Sequence, residues 1–132
     1  MPSLNGAVVL VTGANGGIGT NFVREALARG ASKVYATART PRSWDDERVV
    51  PLTLDVTDSA SIAAVVDAAP DVTVLINNAG ASVSSPSILS HSDEEIRANV
   101  ATNFLGPVFL ARAYAPLLAN REGAAIIDVI CA

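Results

Sequence analysis

The sequence has few residues of the types that build disulfides, metal centres and nucleic-acid surfaces. It contains one cysteine, one histidine and nine basic residues that are scattered along a chain of net charge −4. A single cysteine can form neither an internal disulfide nor a cysteine cluster, which is typical of a reducing compartment. The scattered basic residues argue against nucleic acid and acidic membranes as partners. His91 has no second ligand nearby, so we interpret it as a solvated loop residue and predict no metal site.

Long hydrophobic runs are also missing. No stretch approaches the length needed to cross a bilayer, and the amino-terminal residues lack the basic region and the long apolar run of a signal peptide. We therefore expect a cytoplasmic protein without a membrane partner. The chain has 132 residues, of which 50% are hydrophobic, and this size predicts one domain with one core.

The apolar residues come instead in five short runs rich in Val, Ile and Leu, at 7–12, 33–38, 49–54, 72–77 and 124–130. The runs do not alternate with polar residues, which is typical of strands buried on both faces of a parallel sheet. Helical patterns lie between them. The first has an apolar face made of Ile18, Phe22, Val23, Ala26 and Leu27.

Two further helices follow along the chain, and one connection lacks a helix. Residues 61–69 predict a short helix, and a capping box at Ser92–Glu95 opens a longer one that runs toward Leu118 with a kink at Gly106-Pro107. The polar residues 40–48 predict a loop. Alternating strands and helices predict an α/β fold, a Rossmann-like doubly wound parallel sheet with strand order 3-2-1-4-5. A ligand is expected at the switch point between the first and fourth strands.

A glycine-rich turn follows the first predicted strand and opens the first predicted helix. In the segment VTGANGGIG, Gly13 permits a tight turn, Gly17 lets a pyrophosphate approach the backbone, and Gly19 lets the helix pack closely. The free N–H groups at the helix start then face the anion. Strand, spacing and helix agree, so the segment predicts dinucleotide binding rather than an ordinary turn.

The spacing T-G-x-x-x-G-x-G resembles that of the short-chain dehydrogenase/reductase family. Further matches follow in the family's order: Asp55 in LDVTD, the N-N-A-G run at 77–80, and Asn103 in TNFLGP. The resemblance implies that Asp55 meets the adenine amino group, that the N-N-A-G backbone lines the cofactor cleft, and that Asn103 is an active-site residue. If the resemblance is set aside, Asp55 could simply cap the turn after its strand, and Asn77 and Asn78 could be turn-forming residues.

The resemblance implies a set of cofactor-binding residues. Which nicotinamide cofactor binds is predicted from the residues at the end of the second strand. The set comprises Gly13, Asn15, Gly17, Ile18, Gly19, Arg39, Asp55, Val56, Asn78, Ala79 and Gly80. Folds that bind NAD usually carry an acid at the end of the second strand, where this chain has Ala38 followed by Arg39. A guanidinium can pair with a 2′-phosphate, so we predict NADP(H), although Arg42 could serve instead of Arg39.

The catalytic tyrosine and lysine that the resemblance implies have no counterpart here. The only lysine, Lys33, precedes Tyr35, and neither tyrosine begins a Y-x-x-x-K pair. Aligning the final strand with the family's places Asp128 on an asparagine and Cys131 on the catalytic serine, where a thiol donates more weakly. We therefore expect one NAD(P)-binding domain over 1–132, truncated relative to the family and lacking its carboxyl-terminal catalytic part.

Three functions remain open at this point. The chain could be an inactive form of an oxidoreductase that acts on carbonyl compounds and alcohols, or a non-catalytic NADP(H)-binding sensor. It could also be an interaction protein that uses its exposed fifth strand. An uncovered fifth strand is a sheet edge that recruits another chain, so we expect a homo-oligomer, stabilised partly through the long helix.

Overall fold

Five parallel strands form one sheet in the order β3-β2-β1-β4-β5, as the sequence predicts. The structure is a computed structural model that describes residues 3–80 and 88–130. The strands are β1 (Val8–Val11), β2 (Lys33–Ala38), β3 (Val49–Thr53), β4 (Val74–Asn77) and β5 (Ala125–Asp128). The central strands β1, β2 and β4 are almost fully buried because helices cover both faces of the sheet.

The helices are α1 (Gly17–Ala28), α2 (Ser59–Ala68), α3 (Asp93–Val100) and α4 (Gly106–Leu118), with a π-helical turn at Ala101–Leu105 between the last two. A 3₁₀ turn at Ile88–Ser90 precedes α3. Local signals place the helix starts: Asp58 caps α2 by accepting from the Ala60 N–H, and Ser92 and Glu95 form the predicted capping box of α3. No helix in the described residues is long and apolar enough to span a membrane.

Two apolar clusters hold the layers together, one on each face of the sheet. The first joins β1, β2 and β4 to α1 through residues such as Val9, Val11 and Val23. The second joins the opposite face to α2 and α4 through residues such as Leu10 and Leu110. Since both clusters consist mainly of fully buried aliphatic side chains, they fix the sheet as a rigid platform.

The prediction that every strand is buried on both faces is wrong for β3 and β5. Only Val49 of the five β3 residues is buried, and three of the four β5 residues are exposed. Both strands lie at the edges of the described sheet, where only one neighbour covers them. Pro51 fits this position, since an edge strand tolerates a residue without an N–H donor.

The predicted kink at Gly106-Pro107 takes a different form. The chain stays helical through this pair, and the irregularity lies just before it, where the Gly106 N–H donates to the Ala101 carbonyl in a π-helical turn. Pro107 cannot donate an N–H, and its ring displaces the carbonyl four residues earlier, so the preceding turn widens. Gly106 is buried because it packs on Val56, whose Cγ2 would lie 2.9 Å from an added Cβ.

The apolar face predicted for α1 is confirmed except at its first residue. Val23 and Ala26 are buried and Phe22 and Leu27 pack against the core, but the side chain of Ile18 is 63% exposed. Ile18 lies in the first turn of α1, which opens just after the glycine turn that follows β1. The residues 40–48 form a loop, as predicted.

Candidate functional site

The glycine turn after β1 touches the turn after β4. Gly13 has a φ of +63°, and a Cβ added to it would lie 2.9 Å from the Ala79 Cα. Both facts require glycine, the first because side chains disfavour positive φ and the second because no room remains. The predicted tight turn is therefore present, and its geometry brings two strand ends into contact at the switch point of the sheet.

The start of α1 is open to solvent at one glycine and tightly packed at the other. A Cβ at Gly17 would meet nothing within 4 Å, whereas a Cβ at Gly19 would clash with the Gly13 carbonyl oxygen and lie 2.9 Å from the Ala14 Cα. The N-cap Gly16 gives no side-chain hydrogen bond, and the first turn holds no acidic residue. The first N–H groups of α1 are thus left for an anion that approaches over Gly17.

A threonine hydroxyl joins the two turns. The Thr12 Oγ1 accepts hydrogen bonds from the backbone N–H groups of Asn78 (2.9 Å) and Ala79 (2.8 Å). The Asn78 side chain adds two hydrogen bonds between the same turns, because its Nδ2 donates to the carbonyls of Thr12 (3.2 Å) and Gly13 (3.3 Å). Asn78 therefore fixes the shape of the cleft rather than pointing a side chain into it.

An open groove lies at the carboxyl ends of the strands. Six predicted cofactor residues line it: Gly13, Arg39, Asp55, Val56, Ala79 and Gly80. Asn15, Gly17, Ile18, Gly19 and Asn78 lie outside this lining, in or beside the two turns that border it. Asn15 has a definite contact there, because its Nδ2 donates to the Thr40 carbonyl at 2.8 Å and ties the glycine turn to the loop after β2.

Asp55 is held by its own turn and keeps its charge. Its Oδ1 accepts from the Thr57 hydroxyl (2.6 Å) and the Thr57 N–H (2.9 Å). These bonds lower the pKa of Asp55 and outweigh the opposing effect of burial, and the positive charge of Arg39 lowers the pKa a little further. The turn-capping interpretation and the adenine-binding interpretation are compatible, since both bonds within the turn fall on one oxygen.

Asn103 lies in the π-helical turn and faces the N-N-A-G segment. Its Oδ1 would lie 3.2 Å from a Cβ added to Gly80, and its Nδ2 donates to Asn99 Oδ1 at 3.0 Å. π-helical turns are frequent at functional sites. The other predicted catalytic position, Cys131, lies outside the described residues.

Asp128 does not place an unpaired charge in an apolar strand. It is exposed on the edge strand β5, and its Oδ1 accepts from the Asn77 Nδ2 at 2.9 Å. The Asn77 side chain is otherwise buried, and its Oδ1 has no hydrogen-bond partner among the described residues.

Neither of the chain's two tyrosines is available as a general acid at the groove. Tyr35 donates to Asp71 at 2.7 Å at the opposite edge of the sheet, and burial, together with that carboxylate, raises its pKa. The hydroxyl of Tyr114 donates to the Ala69 carbonyl, and burial raises its pKa as well. Catalysis near neutral pH requires the opposite shift.

Three threonines of the groove were missed at the sequence level. Thr12, Thr37 and Thr102 are buried and line the groove, and Thr37 Oγ1 donates to the Val11 carbonyl at 2.9 Å. The available signal was a hydroxyl at or near the carboxyl end of an otherwise apolar strand, as at Thr12 and Thr37. Such a hydroxyl must find a partner when it is buried.

Fold and groove together define a nucleotide-binding α/β protein of the doubly wound class, with its site at the switch point. The sequence profile described as "short chain dehydrogenase" matches residues 7–131. The chain therefore belongs to the short-chain dehydrogenase family.

Relatives and solved structures agree with that assignment. An NADP-dependent 3-hydroxy acid dehydrogenase of Schizosaccharomyces pombe is 32% identical over 98% of this chain and 55% of its own length. A short chain dehydrogenase from Burkholderia cenocepacia in complex with NADP superposes with a TM-score of 0.89 and 38% identity over 97% of this chain and 54% of its own. An NADPH-bound carbonyl reductase from chicken fatty liver superposes with a TM-score of 0.82 and 31% identity over 96% of this chain and 57% of its own. The chain thus spans about half the length of these proteins.

Proposed function

We propose that this chain is the NADP(H)-binding part of a short-chain oxidoreductase. The observation that carries the proposal is the contact between the two turns, where Gly13 meets Ala79 beside an uncapped helix start. A diphosphate would lie over Gly17, at the N–H groups of α1. The opening above Gly17 and the missing side-chain cap both fit that group.

The choice of NADP(H) over NAD(H) rests on the end of β2. Ala38 and Arg39 line the groove together with Asp55. Arg39 can pair with a 2′-phosphate, while the carboxylate of Asp55 lies on the next strand end, where the adenine amino group would donate to it. The relatives whose names include NADP or NADPH support the same choice.

The reaction class follows from the family. We propose that the whole protein reduces carbonyl compounds or oxidises alcohols by hydride exchange with NADP(H), and that Asn103 belongs to the active site. No Y-x-x-x-K pair occurs in these 132 residues, and neither tyrosine faces the groove. We therefore expect the 132 residues alone to bind NADPH without reducing ketones.

A homo-oligomer and a cytoplasmic location are part of the proposal. Apolar side chains stand exposed at four-residue intervals along α3, the π-helical turn and α4, with exposed fractions of 37% at Ile96, 46% at Val100, 63% at Phe104 and 44% at Val108. Such a stripe on a helical surface supports an interface between copies of the chain. The low cysteine content favours the cytoplasm.

A calorimetric titration of NADPH and NADH into the purified chain tests the proposal, with a turnover assay on simple ketones beside it. Binding of NADPH with no turnover is the expected result. Turnover would show that the chain is itself the enzyme. A folded chain that binds neither dinucleotide would contradict the proposal and favour an interaction protein that uses β5.

A further inference from the structure

Arg42 is held against the start of α1 by contacts that the sequence pattern did not indicate. Its guanidinium carbon lies 3.8 Å from the centre of the Trp44 ring, a stacked cation–π contact. One of its terminal nitrogens donates to Thr20 Oγ1 at 3.4 Å. Trp44 is partly buried and packs on the α1 side of the core, so its ring gives Arg42 a fixed surface on which to lie.

The loop that carries Arg42 is fastened to the glycine turn at two points. Asn15 Nδ2 donates to the Thr40 carbonyl at 2.8 Å. Thr20, which Arg42 contacts, donates its own hydroxyl to the Ala14 carbonyl at 3.0 Å. These bonds place the loop of Arg42 beside the glycine turn, and Arg39 lines the groove that Gly13 also lines.

Arg42 carries its charge close to the positive end of the α1 dipole. A cation at a helix N-terminus works against the helix dipole, and the first turn of α1 has no acidic residue to offset it. Among residues 3–80 and 88–130, no carboxylate lies within 4.0 Å of Arg39 or Arg42. Asp46, in the same loop, forms its salt bridge with Arg48 at 2.8 Å.

We propose that Arg42 is a second specificity-determining residue that binds the 2′-phosphate together with Arg39, and that Trp44 is the positioning residue that holds Arg42 in place. This inference rests on the proposed NADP(H) site. Two guanidinium groups suit a dianionic phosphate with three acceptor oxygens. Trp44 acts through Arg42 and touches no part of the ligand.

The test compares dissociation constants for NADPH and NADH in the wild type and in four variants. Arg42→Ala should weaken NADPH binding about tenfold, the loss of one exposed charge-assisted contact, and leave NADH binding unchanged. Trp44→Leu should weaken NADPH binding by a smaller factor, and Trp44→Phe, which keeps a ring, should restore most of it. Arg24→Ala removes an exposed positive charge further along α1 and should change neither constant.

A spectroscopic readout separates positioning from a merely structural role. Trp44 is the only tryptophan of the chain, so its emission reports directly on the stacked guanidinium. Adenosine 2′,5′-bisphosphate should shift that emission in the wild type, AMP should not, and Arg42→Ala should abolish the shift.

These measurements distinguish failure of the role given to Arg42 from failure of the proposed function. A wild type that binds no dinucleotide overturns both proposals. A wild type that prefers NADPH, with a preference that Arg42→Ala leaves unchanged, overturns only the role of Arg42. If Trp44→Leu fails to fold, Trp44→Phe and Arg42→Ala still decide the matter.

Discussion

The amino ends of the parallel strands form one edge of the sheet, here called the amino edge, and their carboxyl ends form the carboxyl edge. At the amino edge, Lys33, Tyr35 and Asp71 bond to one another, with Lys33 Nζ 2.6 Å and the Tyr35 hydroxyl 2.7 Å from the Asp71 carboxylate. At the carboxyl edge, Arg39 has no such partner among the described residues. Both edges hold charged groups at strand ends, but among the described residues only the amino edge joins opposite charges in salt bridges. The carboxyl edge is therefore the one that is arranged for a ligand.

The same contrast holds for the backbone. Next to β4's amino end, the Tyr114 hydroxyl and Arg121 Nη1 satisfy the carbonyls of Ala69 and Val72. At the carboxyl edge, a hydroxyl fixes the two turns, but the start of α1 has no side-chain cap. Polar groups that are satisfied within the chain stabilise the fold, and those left open identify the site.

The largest expected effect comes from the two glycines of α1. Gly19→Ala would force a Cβ into the Gly13 carbonyl, and overpacking against backbone should lower the free energy of unfolding by about 3 kcal/mol and abolish NADPH binding. Gly17→Ala is the matched control, since its Cβ meets nothing within 4 Å. It should leave stability unchanged or raise it by about 0.5–1 kcal/mol, and still weaken NADPH binding.

Urea unfolding and calorimetry measure the two effects. Equal stability of the two variants would refute the packing role given to Gly19. Undiminished NADPH affinity in Gly17→Ala would show that no diphosphate approaches α1 at that residue.

Arg39→Asp should reverse the cofactor preference. The substitution removes a cation from the 2′-phosphate and introduces a repelling anion, so the dissociation constant for NADPH should rise by roughly one to two powers of ten, while NADH binding is kept or improved. The pKa of Asp55 should also rise, because Arg39 helps to lower it. Titration with both dinucleotides checks the first point, and equal NAD and NADP affinities in the unmutated chain would rule out the assignment.

Thr12→Val should loosen the contact between the two turns. It leaves the N–H groups of Asn78 and Ala79 without their shared acceptor, at a cost of about 1–3 kcal/mol in unfolding free energy. Thr12→Ser keeps the hydroxyl and should behave nearly as the wild type. Denaturant midpoints compare the two, and a valine variant as stable as the serine variant would contradict this role.

The smallest effect is expected at the amino edge, with Asp71→Asn. Burial acts to raise the pKa of Asp71, but hydrogen bonds from Lys33 and Tyr35 outweigh burial and lower the pKa. The stabilisation that the Asp71 carboxylate contributes is therefore present above about pH 4 and is lost as the pH falls through the pKa of Asp71 in the folded chain. The hydrogen bond to Asp71 raises the pKa of Lys33. The stabilisation that protonated Lys33 contributes is therefore present below about pH 10 and is lost as the pH rises through the pKa of Lys33 in the folded chain.

The variant should therefore be slightly less stable than the wild type at pH values between about 4 and 10, and the difference should be small because the Lys33 and Asp71 side chains are 35% and 43% exposed. Urea midpoints at pH 3, 7 and 11 measure the change. NADPH affinity should not change, and a weakened affinity would remove the functional distinction between the two edges.

Local signals made much of the fold predictable. The alternation of apolar runs and helical patterns predicted the parallel α/β sheet, and the capping box at Ser92–Glu95 is formed by neighbouring residues. Gly13 could be assigned to a tight turn because its position between strand and helix demands one. These features depend on residues close together in the chain.

The features that were missed depend on residues far apart. Thr12 bonds to residues 66 and 67 positions away, and the loop that carries Trp44 has a polar sequence that gives no sign of its packing on the core. The exposure of β3 and β5 depends on which strand lies beside them, whereas their composition is as apolar as that of the central strands. Tertiary neighbours override composition at such positions.

Backbone amide chemical shifts, recorded while NADPH is titrated into the 13.5 kDa chain, test the central claim most directly. The account predicts saturable shifts at 13–19, 38–39, 55–56 and 79–80, and none at Lys33 or Asp71. Shifts centred on the amino edge, or no shifts at the glycine turn of a folded chain, would contradict it.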